Sequence, residues 1–314
     1  MTNNEEVELS CILKENPFLG EIAKWKEDLS CFVEGRKRLE ELNFILESDT
    51  GNFSRYQSQT AKRKKDWDTY LHPEVLPQPF IGDPHAPIWY LLLNPGYSFP
   101  DRYDHLGICP CCKRKLFTSN TSEYDCIFDR GRNRLDVMKK RQQLLLRQLQ
   151  LEAGTPFYLL DDSFNALPDE KKYKKEGGYR WWRSVLFGAN KKSSDFLLPA
   201  CGVDVNAYTV GKKLFVLECC PYHSPNFDKK VLWRDSAYFK FWCQLVKWAA
   251  KYERVIIARS KNVINLLLEL GIAENKVVRF SSWQNVTWSK RNLRERDRVR
   301  ICQILRSQTN LLKG

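Results

Sequence analysis

The stretch Ile88-Trp89-Tyr90-Leu91-Leu92-Leu93-Asn94-Pro95-Gly96 constrains the fold more than any other part of this chain. Ile88 to Leu93 are all apolar or aromatic, and an Asn-Pro-Gly turn follows them directly. A run of that length without polar alternation offers no face to water. It predicts a strand buried on both sides, and such strands belong to parallel sheets covered by helices. Residues 214–218, 254–258 and 276–280 repeat the pattern, with a shorter run at 157–160. Helical periodicity occupies 134–152, 236–251 and 261–270, and Gly271 ends the last of these. Strands alternating with helices predict an α/β chain: a three-layer sandwich with a mostly parallel central sheet of about four strands, flanked by helices.

The N-terminal part reads differently. Residues 18–48 place Ile22, Trp25, Leu29, Phe32, Val33, Leu39, Leu42 and Leu46 at spacings of three and four, which predicts a helix with Gly35 as a weak interruption. Residues 54–70 predict a basic helix whose Lys62-Arg63-Lys64-Lys65 reads as a solvated face. Residues 72–87 are proline-rich and extended, and they deliver the chain into the central strand. The expected organisation is an N-terminal helical appendage over 1–76 and an α/β domain over 77–314, with a Cys-rich loop inserted near 105–126.

Composition narrows the partners. A hydrophobic content of 43% supplies a sizeable core, and no apolar run reaches membrane-spanning length, so no membrane partner is expected. The acidic, polar start argues against a secretory signal. Eleven cysteines, an odd number scattered through apparent strands and helices, fit a reducing cytoplasm. A net charge of +13 points to a polyanionic partner. From Asn285 to the end, eight Lys or Arg face two acids, a local balance of +6 and the strongest nucleic-acid signal in the chain.

Ligands of parallel sheets bind beyond the carboxyl ends of the strands. Asn94, Tyr97 and Ser98 follow the first strand; Glu218 and then Cys219-Cys220-Pro221-Tyr222-His223-Ser224 follow the second. At the end of the third, Arg259-Ser260-Lys261-Asn262 opens a helix that offers its N-terminus to a phosphate. The fourth opens into a polar, aromatic loop from Ser281 to Leu293. Each has a plainer reading: Asn-Pro-Gly as a strand stop, His223 as a structural histidine, Glu218 as a buried hydrogen-bonding carboxylate. Trp181-Trp182, with Arg180 and Arg183 beside them, fit either base stacking or an anchor for a helix. Cys109 and Cys112 have zinc-knuckle spacing, with Cys126 and His105 nearest to complete a ligand set. No second Cys-x-x-Cys exists in the chain, so a structural zinc and a loop of buried thiols both stay open.

These motifs resemble the uracil-DNA glycosylase superfamily. Leu93-Asn94-Pro95-Gly96 is similar to that family's first motif, in the branch where Asn stands for the acidic residue. The stretch from Leu217 to Ser224 resembles its middle strand and loop, and Ser281 to Leu293 takes the place of its second motif. The resemblance spans residues 77–305, with Asn-Pro-Gly as its firm anchor. The usual His-Pro-Ser of the second motif is absent, which leaves open whether Ser282, Gln284 or Asn285 meets the base.

The resemblance implies hydrolysis of an N-glycosidic bond on a nucleotide flipped out of DNA. Asn94, His223 and Asn285 are the implied catalytic residues, with Asn94 orienting the attacking water. Tyr97, Phe99, Tyr222, Ser282 and Gln284 would hold the base. Trp288 or Leu293 would wedge the gap in the duplex, while Lys290, Arg291 and Arg294 hold phosphates. The reaction requires no cofactor, and a monomer acting on DNA is expected. The appendages and unusual pocket residues point away from plain uracil, towards a damaged or modified base such as those of phage DNA, in a defence role. Two other readings stand beside this one. The chain could be a catalytically silent nucleic-acid-binding protein of the same fold, or an unrelated α/β hydrolase or nucleotide-handling enzyme. The glycosylase reading requires that Asn94 and the 281–293 loop face each other across one slot.

Overall fold

The computed structural model of the chain describes residues 2–61, 71–96, 134–155, 157, 181–182, 184–186, 210–224, 226, 228–281 and 287–306. Its centre is a mixed, mostly parallel sheet of five strands: β1 (Phe80–Gly82), β2 (Ile88–Leu92), β3 (Leu214–Glu218), β4 (Val255–Ala258) and β5 (Val277–Arg279). Their spatial order is β1-β3-β2-β4-β5. β3, β2, β4 and β5 are parallel, and β1 runs antiparallel along the edge of β3. The helices are α1 (Asn3–Lys14), α2 (Ile22–Val33), α3 (Thr50–Ala61), α4 (Arg134–Leu149), α5 (Ala237–Lys251), α6 (Lys261–Glu269) and α7 (Glu295–Arg306). None of the described helices is long and apolar enough to cross a membrane.

Every residue of β2, β3 and β4 is buried, as their uninterrupted apolar composition demands. The two faces are built from alternating side chains. On one, Trp89 meets Phe215 at 4.7 Å and Trp248 of α5 at 5.7 Å between ring centroids. On the other, Tyr90 meets Trp182 at 5.3 Å, and Phe280 and Trp288 both at 6.2 Å. In register, Leu92 lies beside Glu218, Tyr90 beside Val216 and Ile257. Glu218 therefore projects on the Tyr90 face at the carboxyl edge.

Chain order and spatial order together fix where a ligand can enter. From β2 the chain moves to β3 on one side, then returns past β2 to place β4 on the other. The reversal falls between β2 and β4, and open α/β sheets hold ligands in the crevice outside the strands at such a point.

The four parallel strands match the apolar runs, while β1 falls in the segment expected to be merely extended. Three residues are too few for a periodic signal, and Pro79 precedes them; its carbonyl accepts from Glu218 N at 2.9 Å. The long helix expected over 18–48 is shorter. α2 stops at Val33, and Gly35 takes a φ of +77° while Arg36 N and Lys37 N both donate to Cys31 O. That left-handed turn closes the helix. Beyond it, Leu42 and Leu46 reach the core from irregular chain with short 3-10 turns at Leu39–Glu41 and Glu47–Asp49. The strand expected at 157–160 lies outside the described residues apart from Phe157, which is buried.

The N-terminal helices share the core of the sheet. Phe18 packs against Phe80 at 5.9 Å and Tyr238 at 5.6 Å, and Leu9, Trp25 and Phe32 belong to the same continuous cluster as β2. Glu5 of α1 pairs with Arg254, and Trp248 Nε1 donates to Glu5 O at 3.3 Å. The N-terminal helices are thus packed on the α/β part through one continuous core.

Gly82 is where the edge strand depends on a missing side chain. Its φ is +94°, and a Cβ there would lie 2.3 Å from the carbonyl oxygen of Leu214. Gly82→Ala is expected to destabilise the fold by about 3 kcal/mol or more in urea unfolding. Gly20→Ala, with nothing within 4 Å of the added atom, should cost far less.

Candidate active site

Asn94 sits two residues beyond β2, half-buried, at the edge of the crevice. Its Nδ2 donates to Pro95 O at 2.9 Å, to Ser224 O at 3.1 Å and to Ser224 Oγ at 3.0 Å. Two of these three atoms are carbonyl oxygens, which only accept, so the amide nitrogen must face them. The orientation of the side chain follows: Oδ1 points away from this cluster, and no described hydrogen bond reaches it. Ser224 is itself held, because its hydroxyl donates to Asn226 O at 2.7 Å. The paired backbones support the arrangement, since Cys219 N and Cys220 N donate to Leu92 O and Leu93 O at 2.9 and 2.8 Å. A fixed carbonyl oxygen at a strand end can accept a hydrogen bond from water and aim it. An amide cannot take the proton away.

His223 and Tyr222 have other duties than those expected. His223 is 2% exposed, and its Nδ1–H donates to Gly96 O at 2.7 Å. Burial lowers its pKa to about 4, against hydrogen bonds to the Gly96 and Leu76 backbone that act in the other direction. A neutral, buried imidazole strapping Gly96 in place positions the turn after Asn94; it is not placed to contact substrate as a catalytic group. Tyr222 is buried among Ile45, Tyr56 and Leu71. Its hydroxyl donates to Asp49 Oδ2 at 2.7 Å and accepts from Leu46 N at 3.3 Å. Burial raises the Asp49 carboxyl to about 6, with the Tyr222 hydrogen bond opposing it. Tyr222 is a tie between the β3 loop and the N-terminal segment rather than a base contact.

The tail-proximal segment divides into an anchor and a charged rim. Trp288 is fully buried and Leu293 is 3% exposed, so neither is free to wedge a duplex. Trp288 stacks on Tyr90 at an interplanar angle of 22° and its backbone N–H donates to Val185 O at 2.8 Å. Leu293 bridges Phe280. These contacts tie the segment to β2, the strand that carries Asn94. Lys290, Arg291 and Arg294 are exposed, as phosphate contacts must be.

A second group of polar residues carries little signal in the sequence. On the Tyr90 face, Glu218 Oε2 is buried without a hydrogen-bond partner, and Tyr90 OH and Trp288 Nε1 are buried facing each other short of good hydrogen-bond geometry. Burial holds the Glu218 carboxyl well above the ordinary range and raises the Tyr90 phenol; the charge of Arg259 offsets both in part. Arg259 lies with its guanidinium 4.9 Å over the Trp181 ring. Tyr90 sits inside an apolar run, so its hydroxyl is easily discounted, and only the register with Glu218 and Arg259 reveals the cluster. Ser260, by contrast, caps its own helix by accepting from Val263 N at 3.2 Å.

Tyr97, Phe99, Ser282, Gln284 and Asn285 lie outside the described residues, as do Cys109, Cys112, Cys126 and His105. No group of three or more His, Cys, Asp or Glu suited to a metal occurs among the described residues. Cys219 and Cys220 are buried free thiols whose pKa values burial raises, Cys220 to about 12. Cys302 is disulfide-bonded. Compared with protein-family models, curated proteins and solved structures, the chain has no match.

The buried imidazole gives a pH signature. With a folded pKa near 4 against 6.5 unfolded, His223 contributes stability above pH 6.5 that is lost as pH falls towards 4. Asp49 and Glu218 run oppositely: their raised values favour the fold at low pH and lose that contribution as pH rises. Comparison with His223→Asn, whose amide can still donate to Gly96 O, isolates the imidazole. The wild type is expected to lose its stability advantage over this variant by roughly 3 kcal/mol between pH 7 and pH 4 in chemical denaturation. An advantage that stays constant with pH would show that His223 titrates normally.

Proposed function

We propose that this protein is a DNA glycosylase that hydrolyses the N-glycosidic bond of a damaged or modified base, and that it is a divergent relative of the uracil-DNA glycosylase superfamily. The observation that carries the reading is the Asn94 amide: its nitrogen is clamped by Ser224 and Pro95, which turns Oδ1 away from them at the carboxyl end of β2, a strand that borders the topological reversal of the sheet. In this reading a nucleotide is everted from the duplex, and Asn94 Oδ1 accepts from a water and directs it at C1′. The glycosidic bond breaks with its electron pair going to the base, the water oxygen bonds to C1′, and the water's proton passes to solvent. Because an amide supplies orientation without basicity, turnover is modest and leans on stabilising the departing base.

The proposal extends to architecture and setting. Helices on both faces of the sheet would make a three-layer sandwich, and the enzyme would act as a monomer in the cytoplasm, on DNA, without a required cofactor. Trp288 and Tyr90 hold the tail segment so that Lys290, Arg291 and Arg294 line one rim for phosphates. A modified base of phage DNA, in a defence role, remains the proposed substrate class. A structural zinc on Cys109, Cys112 and Cys126 belongs to the same proposal, and metal analysis of the purified protein tests it. One observation favours the silent-binder reading: among the described residues around Asn94, His223 is buried and no exposed acid or base stands beside the amide.

Abasic-site assays on oligonucleotides carrying different bases, and on phage DNA, separate the two. Asn94→Ala is expected to lower base release by at least a hundredfold while leaving DNA affinity unchanged. Replacing Lys290, Arg291 and Arg294 with Ala should instead weaken binding and reduce the slope of log K against log salt by about 0.9 per charge removed. Binding without base release from any substrate would favour the silent binder.

A further inference from the structure

At the opposite edge of the sheet from Asn94 lies a cavity of about 330 Å³, lined by Ala250, Glu253, Arg254, Asn275, Lys276 and Arg300. It opens where the chain enters β4 and β5, and α7 contributes Arg300. Three of the six lining side chains are cationic and one is acidic. Arg254 is fixed from two directions: it pairs with Glu5, and its guanidinium stacks 4.9 Å over Trp248. Even so, its Nε–H is buried with no acceptor. A buried cationic donor without a partner is costly, and a ligand oxygen would relieve it.

The other two cations, Lys276 exposed and Arg300 half-buried, border the same cavity. Lys276 Nζ donates to Ala250 O at 3.3 Å and Arg300 Nη2 to Glu253 O at 3.1 Å. Each uses one donor on a neutral carbonyl, so the remaining donors and the full positive charge are uncommitted among the described residues. Glu253 adopts a φ of +56°, unusual for a residue with a side chain, and this turn presents its carbonyl to Arg300. The volume lies at the lower end of small-ligand pockets and is far too small for a duplex.

We infer that this cavity is a binding site for a small phosphate-bearing ligand, held by Arg254, Lys276 and Arg300 and separate from the Asn94 crevice. The inference does not rest on the glycosylase reading. Isothermal titration of the full chain with inorganic phosphate and with a nucleoside 5′-monophosphate, at constant ionic strength set with chloride, tests it. Saturable binding of one ligand per chain is expected. Lys276→Glu, at an exposed position where folding should survive, is expected to weaken it at least tenfold, and Arg300→Ala similarly. A Lys290→Ala/Arg291→Ala variant should bind as the wild type does. Absence of saturable binding by either probe at millimolar concentration overturns the proposal. So does binding that persists in Lys276→Glu, or that is lost in the Lys290/Arg291 variant.

Discussion

The nitrogen of the Asn94 side chain is the point on which the rest of the site turns. It is enclosed by Pro95 O, Ser224 O and Ser224 Oγ, and the two carbonyls leave it one orientation. The neighbouring architecture serves that clamp. Parallel pairing of β2 with β3 brings the two loops side by side, and the ladder continues past the strands through Cys219 and Cys220. His223 then holds Gly96, and Ser224 is braced on Asn226. A flexible amide is thereby held in one orientation at the carboxyl end of β2.

Beneath this edge the protein carries a cost that a purely structural core would avoid. Glu218 leaves a carboxyl oxygen buried without a partner on one face of the sheet, and Tyr90 and Trp288 leave their polar atoms buried with only each other within reach. Burial holds the Glu218 carboxyl well above the ordinary carboxylate range, and the charge of Arg259 offsets only part of that. A charge introduced there would face a large desolvation cost. The cluster sits directly behind the loops that follow β2, β3 and β4. Trp288, stacked on Tyr90, also fastens the basic C-terminal segment to the central strand.

Much of the fold was legible in the sequence because burial on both faces leaves a plain mark. β2, β3, β4 and β5 are apolar runs, and α5 and α6 begin at Ser236 and Ser260 side chains that cap them. β1 was hidden because three residues beside a proline carry no period. The break after Val33 was underweighted because a single glycine reads as a weak signal until its positive φ is seen. At the site, the position of Asn94 followed from the strand end, and the exposure of Lys290, Arg291 and Arg294 followed from charge. The partnership of Asn94 with Ser224 spans 130 residues and only register reveals it. Trp288, Leu293 and Tyr222 misled for one reason: an aromatic or aliphatic side chain in a polar loop looks available, whereas here each fills core.

The coupling between Asn94 and Ser224 offers the most direct test, read as single-turnover release of free base from DNA by mass spectrometry. Ser224→Ala removes one acceptor and also the tie to Asn226 O that braces the Ser224 carbonyl, so release should slow about tenfold when Asn94 is present, with DNA affinity unchanged. In an Asn94→Ala background the same change should have no further effect, because there is no amide left to orient. Equal losses in both backgrounds, or full activity in Ser224→Ala, would contradict the account.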